Sequence, residues 1–437
     1  MKKTFSFPKN FKWGVATAAH QIEGNNIHSD WWHWEQTPGR VKNNERSGLA
    51  CDHWARVNED IQLMKNLHIK QYRFSVEWAR IETAQGVWNE EALKHYKEEL
   101  ALLRAAGIEP MVTLHHFTLP FWVAELGGFE WHGFAEAFAK YTEVVYEAIG
   151  TQVIDWITFN EPMVLFAASY IAGVFPPQKK GSLQSLQVPM VNLLKAHAKA
   201  YQILHARAKQ ASVQARVGVA HHLRIFDPAC AYHPLDLLMA KISEDFFNWT
   251  IPQALRTGQL QFYVPFLLSM NVSIPDLAGT QDYFGFNYYS RDFVKFSFRP
   301  PFFKIKVPAT APKNDLDWEI YPEGLNRLLL EIHDRYPDLS ISITENGIAD
   351  AKDSQRIKFL NDHLWQMAEA MKAGVPVEGY SHWSLLDNFE WNSGFSPRFG
   401  LYELDYVTMK RIARPSALVY AKIVVENQLL TGQETRS

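Results

Sequence analysis

The feature that most constrains the fold is an alternation of short β-branched and apolar segments with longer amphipathic segments along the 437 residues. The short segments predict eight β-strands, at 11–18, 71–77, 109–115, 153–160, 216–222, 283–289, 340–345 and 379–385. Apolar residues recurring every three or four positions predict helices between them, including 60–66, 90–106, 134–149, 191–209, 325–336 and 353–373. Strands that alternate with helices are joined by crossovers, so we expect a parallel sheet.

Eight such units favour an α/β fold of one kind, the closed (β/α)₈ TIM barrel, with its active site at the C-terminal ends of the strands. An open doubly wound sheet is the alternative, but no glycine-rich nucleotide fingerprint follows the first predicted strand. Gly107, Gly150 and Gly374 fall where three helices should end. No repeat, linker or composition shift divides the chain, so we expect a single domain over residues 1–437.

Composition excludes several classes of protein. With 47% hydrophobic residues, 21% charged residues and a formal net charge of −3, the chain resembles neither a disordered protein nor a basic nucleic-acid binder. No run of 18 apolar residues predicts a membrane span. Two distant cysteines, Cys51 and Cys230, argue against a disulfide framework, and the first ten residues lack the apolar stretch of a secretory peptide. We therefore expect a cytoplasmic protein, of unknown oligomeric state.

Two short segments each place a glutamate where a predicted strand ends. They are residues 158–162 (Thr-Phe-Asn-Glu-Pro), which contain Glu161, and residues 343–347 (Ile-Thr-Glu-Asn-Gly), which contain Glu345. Either glutamate alone could belong to a structural ion pair. Two in matching contexts, facing one cleft, supply the proton donor and the nucleophile or water activator that cleavage of a glycosidic bond requires. The pair therefore favours a glycosidase.

Most other predicted strands also deliver polar or aromatic groups to the same end, and such a lining suits a neutral polyol. The aromatic cluster at 31–34 lies in a polar, loop-like stretch and could either line the mouth of a cleft or pack in the core. Residues 226–275 read as a long irregular stretch. Adjacent His115-His116 and His221-His222 could suggest a metal, but neighbouring strand residues point to opposite faces, so we expect no metal.

Five segments in order resemble glycoside hydrolase family 1. They are residues 7–8 with 11–24, residues 72–75 (Tyr-Arg-Phe-Ser), residues 158–162, residues 343–347 and residues 383–391 (Trp-Ser-Leu-Leu-Asp-Asn-Phe-Glu-Trp). The resemblance covers nearly the whole chain. It implies a single-domain barrel and a retaining exo-β-glycosidase without a cofactor, most often a β-glucosidase, whose partner is a small β-glucoside or short oligosaccharide.

The resemblance also implies a role for each matching residue. Glu161 becomes the general acid/base and Glu345 the nucleophile, with Arg73 and Tyr289 keeping Glu345 ionised. The expected substrate-binding residues are Gln21, His116, Asn160, Asn287, Trp383, Glu390, Trp391 and Phe399, with Asn160 at the sugar 2-hydroxyl and Trp383 as the floor. Because Glu161 must be protonated, we expect burial and the charge of Glu345 to raise its pKa.

One departure from the family pattern and two alternatives stay open. Phe117 stands where many members carry Trp beside the sugar-binding His116, so an indole donor to the 3-hydroxyl is missing and discrimination among glucosides, galactosides and fucosides could be relaxed. A 6-phospho-β-glycosidase is disfavoured by the charge of Glu390, although Arg398 lies nearby in sequence. A non-catalytic glycan-binding barrel is disfavoured because both glutamates are present.

Overall fold

The computed structural model describes residues 4–181, 183–264, 268–299 and 303–430. Its centre is a closed barrel of eight parallel strands. In chain order they are Lys12–Ala16, Gln71–Ser75, Glu109–His115, Asp155–Asn160, Arg216–His222, Tyr283–Tyr288, Ser340–Asn346 and Val377–Trp383. All eight predicted strands and the barrel are confirmed, and the open sheet is excluded.

Helices cover the outside of the barrel. The longer ones are His53–Asn66, Glu90–Ala105, Phe134–Ile149, Gln187–Gln210, Glu323–Arg335, Arg356–Lys372 and Pro415–Glu426. The last of these was not predicted, and the first begins seven residues before its predicted start. Each turns an apolar stripe inward; in Phe134–Ile149 the buried positions recur at helical spacing, as the sequence predicts.

Two of the three predicted terminal glycines have the expected conformation. Gly107 and Gly374 have φ values of 71° and 99°, which a residue with a side chain adopts only with strain. Gly150 instead has φ −58° and continues into a 3₁₀ turn, Gly150–Gln152. A glycine is needed there for another reason, because a Cβ atom would lie 2.4 Å from the ring of Tyr146.

Smaller elements follow the ends of the barrel strands. Short helices are Ala19–Ile22, Asp30–Glu35, Trp78–Ile81, Phe121–Glu125 and Pro162–Phe166. The stretch 226–275 was wrongly predicted to be irregular, because it contains helices Pro234–Glu244 and Thr250–Thr257 and the antiparallel pair Gln259–Val264 and Leu268–Ser273. Ile225–Pro228, Arg291–Phe296 and Phe303–Lys306 form a three-stranded sheet.

The cluster at 31–34 is a second correction. It lies on the short helix Asp30–Glu35 rather than in a loop, and Trp31 is completely buried. The Trp31 ring packs on Trp34, Phe175 and Trp391, with centroid separations of 5.0, 4.8 and 4.8 Å. The helix therefore supports the wall of the cavity from behind instead of lining its mouth.

The barrel is filled by a cluster of side chains inside it, and a two-stranded ribbon covers the N-terminal end of its strands. Met111, Ile157, Ala220 and Tyr283 form a buried cluster inside the barrel, so the interior is packed and open only above this layer. At the N-terminal end of the strands, Thr4–Ser6 pairs with Gln428–Leu430 in a two-stranded antiparallel ribbon. The carboxyl ends of the strands are left as the open face.

Candidate active site

A cavity of about 470 Å³ lies at the carboxyl ends of the barrel strands. Ten of the twelve residues singled out from the sequence line it: Gln21, His116, Asn160, Glu161, Tyr289, Glu345, Trp383, Glu390, Trp391 and Phe399. The other two, Arg73 and Asn287, are completely buried and hydrogen-bond to residues of the lining. The structure thus brings all twelve together.

The local backbone explains how Glu345 reaches the cavity. It lies on the strand Ser340–Asn346, whose pairing with both neighbouring strands shifts between Ile343 and Asn346. An extra residue at such a bulge turns a side chain out of the regular alternation. Glu345 accepts hydrogen bonds from Arg73 Nη1 at 2.5 Å and from the Tyr289 hydroxyl at 2.6 Å.

Glu161 occupies a strained position directly after the strand Asp155–Asn160. Its φ of 44° lies in the left-handed region, and Pro162 begins the next helix. Its Oε1 accepts a hydrogen bond from Asn287 Nδ2 at 2.8 Å and lies 3.0 Å from His222 Nδ1. No described residue hydrogen-bonds to Oε2, so this oxygen is available to a molecule in the cavity.

A continuous hydrogen-bond network joins the two glutamates. Arg73 Nη2 donates to Asn160 Oδ1 at 2.6 Å, and Asn287 Nδ2 donates to the same oxygen at 3.2 Å. Arg73 also contacts Glu345, and Asn287 also contacts Glu161. Because these groups are buried, their positions are fixed and a proton or charge on one carboxyl is felt by the other.

The pKa values of the two carboxyls shift in opposite directions. Burial raises the pKa of Glu345 to about 7, although Arg73 and Tyr289 act to lower it. Burial alone would also raise the pKa of Glu161, but the adjacent His222, together with Asn287 and Arg73, outweighs it, so the pKa lies below its usual value. The predicted upward shift of Glu161 is therefore wrong for the ligand-free protein, because the sequence did not reveal its hydrogen-bond donors.

The floor of the cavity combines flat rings with polar groups. His116 stacks with Trp383 and Trp391 at interplanar angles of 15° and 12°. Trp383 Nε1 donates to Glu390 Oε1 at 3.3 Å, and burial raises the pKa of Glu390 to about 8. Gln21 Oε1 and His116 Nδ1 are buried and have no hydrogen-bond partner among the described residues. Such atoms are suited to the hydroxyl groups of a ligand.

Two aromatic residues shape the sides of this floor. Phe117, with φ 72°, lies against Trp391 and Phe175 at 5.1 and 5.7 Å. Its ring supplies apolar surface without a hydrogen-bond donor. Phe399 is buried and packs edge-on against Tyr289 at 6.2 Å, on the side of Glu345.

His222 is the important residue whose role the sequence did not reveal. His116 and His222 line the cavity, whereas His115 packs against Phe159 and His221 against Phe284, as opposite strand faces require. The strands that carry Glu161 and His222 are neighbours in the barrel, so their ends had to meet. The order of the strands was therefore the sequence signal from which the contact between His222 and Glu161 could have been predicted. In the described part of the chain, no group of three His, Cys, Asp or Glu residues could hold a metal ion.

The fold is a (β/α)₈ barrel, and its cavity holds two glutamates that are joined by hydrogen bonds. Stacked rings and buried polar atoms lie beneath them. These features together are typical of glycoside hydrolases. Comparison with known proteins specifies the family. The profile of Glycosyl hydrolase family 1 matches residues 3–429, and the chain belongs to this family.

Relatives and solved structures agree with this assignment. The chain is 35% identical to β-glucosidase A of Thermotoga maritima, across 97% of this chain and 98% of the relative. A β-glycosidase from Pyrococcus horikoshii superimposes with a TM-score of 0.89 at 37% identity, covering 98% of this chain and 96% of the other. A β-glucosidase from Thermotoga maritima in complex with glucoimidazole gives 0.89 at 34% identity, over 97% and 99%.

Proposed function

We propose that this family 1 enzyme is a retaining exo-β-glucosidase that removes terminal β-D-glucosyl residues, and β-galactosyl and β-fucosyl residues as well. The observation that carries the proposal is the contrast between the two glutamates. Glu345 is held by two donors suited to a carboxylate, whereas Glu161 keeps one oxygen available to the cavity. The names of the similar enzymes support a glucoside as substrate.

In the first step, a carboxylate oxygen of Glu345 forms a bond to the anomeric carbon while the bond from that carbon to the glycosidic oxygen breaks. Glu161 transfers its proton to the departing oxygen. When the substrate is bound, Glu161 must therefore carry a proton and Glu345 must be ionised. The positive charge that develops on the sugar favours an ionised Glu345, and the glycosidic oxygen offers the proton on Glu161 an acceptor.

In the second step, Glu161 acts as a base. It removes a proton from water, the water oxygen bonds to the anomeric carbon, and the ester bond to Glu345 breaks. The donors to Glu161, Asn287 and His222, stabilise its carboxylate at this stage. The same contacts that lower the pKa of Glu161 in the free enzyme therefore support the state that precedes water attack.

The floor determines which sugars fit. Gln21, His116 and Glu390 offer hydrogen bonds to hydroxyl groups, Trp383 offers its ring face, and Asn160 lies between the two glutamates where the 2-hydroxyl is expected. No cofactor is required for this chemistry. Phe117 has no indole N–H to donate to the sugar 3-hydroxyl. The loss of this hydrogen bond supports action on glucosides, galactosides and fucosides.

A 6-phospho-β-glycosidase is the weaker alternative. Glu161, whose pKa is lowered, carries a negative charge in the cavity, and Glu345 and Glu390 add theirs as pH rises through about 7 and about 8, so an anionic sugar is disfavoured. Arg398 is engaged elsewhere: its Nη1 donates to Asp387 at 3.3 Å and its guanidinium lies over the Tyr406 ring. The cationic residue that could have recognised a phosphate is therefore turned away from the cavity.

We also propose that the chain is one domain acting in the cytoplasm. One family profile matches residues 3–429, which supports one domain. Cys51 is buried, Cys230 is exposed and both are free thiols, which supports a reducing compartment. None of the helices in the described ranges is long and apolar enough to cross a membrane.

The test is a set of initial rates on matched aryl β-glucoside, β-galactoside, β-fucoside, β-mannoside and 6-phospho-β-glucoside, without added metal. We expect turnover of the glucoside, galactoside and fucoside. NMR should show that the first sugar product has the same anomeric configuration as the substrate. Activity on the phosphorylated sugar alone would assign the alternative function. Absence of turnover on all five would indicate a glycan-binding barrel.

A further inference from the structure

A second cavity lies behind one wall of the cavity that holds the two glutamates, which is called the first cavity from here on. The volume of the second cavity is about 190 Å³. Phe117 lines both cavities, and the segment 162–172 completes the partition, since Ala168 lines the first cavity and the adjacent Ser169 lines the second. A protein cavity of about 150 Å³ accepts a benzene molecule, so the second cavity has room for one six-membered ring.

Three polar side chains of the second cavity have hydrogen-bonding atoms that no described residue engages. Asp30 is 8% exposed, and its Oδ1 accepts hydrogen bonds from the backbone N–H groups of Trp31 and Leu119 at 2.8 and 2.9 Å. Its Oδ2 has no partner in the described part of the chain. Ser169 and Tyr170 are each 1% exposed, and their hydroxyl groups also lack a hydrogen-bond partner among the described residues. A ligand that carries hydroxyl groups would satisfy all three side chains.

The charges around the second cavity favour a neutral ligand. Lys179, the one cation of the described lining, is paired with Glu130, and both side chains are partly exposed at the rim. Burial raises the pKa of Asp30 to about 7, so near neutral pH this carboxyl is ionised only in part and, when protonated, donates as well as accepts. An anion would therefore find no unpaired cation in the described lining, and a cation would find Glu130 already paired.

The rest of the lining is apolar. It consists of aliphatic and proline side chains, two glycines and the rings of Phe117 and Phe129. A pyranose ring has the same division, because its C–H faces pack on aromatic rings while its hydroxyl groups need donors and acceptors. A purely aromatic ligand would offer the polar side chains no hydrogen bonds, each of which strengthens binding about fivefold.

We propose that the second cavity is a non-catalytic binding site for one neutral monosaccharide. Asp30, Ser169 and Tyr170 hold its hydroxyl groups, and the rings of Phe117 and Phe129 contact its C–H faces. Neither Glu161 nor Glu345 lines this cavity, so the site does not depend on the proposed β-glucosidase function.

The test is a titration with D-glucose, followed by calorimetry and by saturation-transfer NMR. Glucoimidazole, which is bound in the similar Thermotoga maritima structure, is added in excess to occupy the first cavity. We expect one glucose to bind per chain under these conditions. Ala124→Leu places three more carbon atoms in the second cavity and should weaken this binding at least about tenfold. Tyr170→Phe removes one hydrogen bond and should weaken it about threefold to tenfold.

Two matched controls lie outside both cavities. Ala137→Leu enlarges a half-buried alanine on the helix Phe134–Ile149, and Tyr146→Phe removes a buried hydroxyl that also has no partner among the described residues. Both should bind glucose as the wild type does. Absence of glucose binding beside glucoimidazole would overturn the proposal, as would unchanged binding in a folded Ala124→Leu variant. Failure of glucoimidazole itself to bind would count against the proposed function instead, and the glucose binding lost in Ala124→Leu would still decide on the second cavity.

Discussion

The two glutamates of the cavity are chemically the same group in different surroundings. Glu345 is contacted through both oxygens, by a guanidinium and a phenol, and the side chain is fixed by a bulged strand. Among the described residues, Glu161 is contacted through one oxygen only, by an amide and an imidazole, and its own backbone is in the left-handed conformation. The difference shows how one residue type is prepared for two roles: full contact holds a nucleophile in place, and partial contact leaves a proton transferable.

Replacing Glu345 with Gln should produce the largest effect. The amide cannot attack the anomeric carbon, so turnover of an aryl β-glucoside should fall by at least about 10³-fold. Steady-state rates measure this, with Glu403→Gln on the protein surface as the control for the substitution itself. Near-normal hydrolysis by Glu345→Gln would show that the assignment of the nucleophile is wrong.

Replacing Glu161 with Gln should have a smaller effect that depends on the leaving group. Methyl β-glucoside needs a proton donor and should lose about 10²- to 10⁴-fold in kcat/KM. A 4-nitrophenyl β-glucoside leaves as a stable anion and should lose much less in its first step. Equal losses on both substrates would contradict the role of Glu161 as the acid.

Replacing His222 with Asn tests why the two pKa values differ. Because His222 holds the pKa of Glu161 down, its removal should raise that pKa. The acid must be protonated for the first step, so the alkaline limb of kcat/KM against pH should move to higher pH, and the loss of activity between pH 7 and 9 should shrink severalfold. His221→Asn, on the opposite strand face, is the control, and an alkaline limb that stays in place in the His222 variant would refute this cause.

Replacing Glu390 with Gln extends the comparison to the third carboxyl of the cavity and should have the smallest effect. Burial raises its pKa to about 8, so the folded protein binds this proton more tightly than the unfolded chain does. The resulting stabilisation is complete below the unfolded value and is lost as pH rises through the folded value. Thermal unfolding should show a variant Tm about 2 °C above wild type at pH 8 and close to it at pH 5. A constant difference across this pH range would contradict the raised pKa of Glu390.

Much of the architecture could be predicted because it depends on local patterns. Segments with a period of two residues identified all eight barrel strands, and segments with a period of 3.6 residues identified six helices. The two glutamates at the strand ends, Glu161 and Glu345, lie beside one cavity and are 6% and 3% exposed. The helix at 30–35 was missed because six residues are too few to show a period. Its burial depends on Phe175 and Trp391, which lie far away in sequence.

The electrostatics could not be predicted for a related reason. The direction of the Glu161 shift depends on a 3.0 Å contact with His222, sixty-one residues away in the chain. A strand order predicts that the two residues are neighbours, but not which ring nitrogen faces which oxygen. Hydrogen-bond geometry of this kind decides a pKa and is absent from any local pattern.

The ribbon formed by Thr4–Ser6 and Gln428–Leu430 has a consequence for engineering. It places the beginning and the end of the described chain side by side, with Thr4 paired to Leu430, at the barrel end opposite the cavity. A short peptide could therefore join the two ends, and new termini could be opened in an outer loop without disturbing the strand order. The same location makes either end a suitable point for attachment to a solid support, since the cavity would then face the solution.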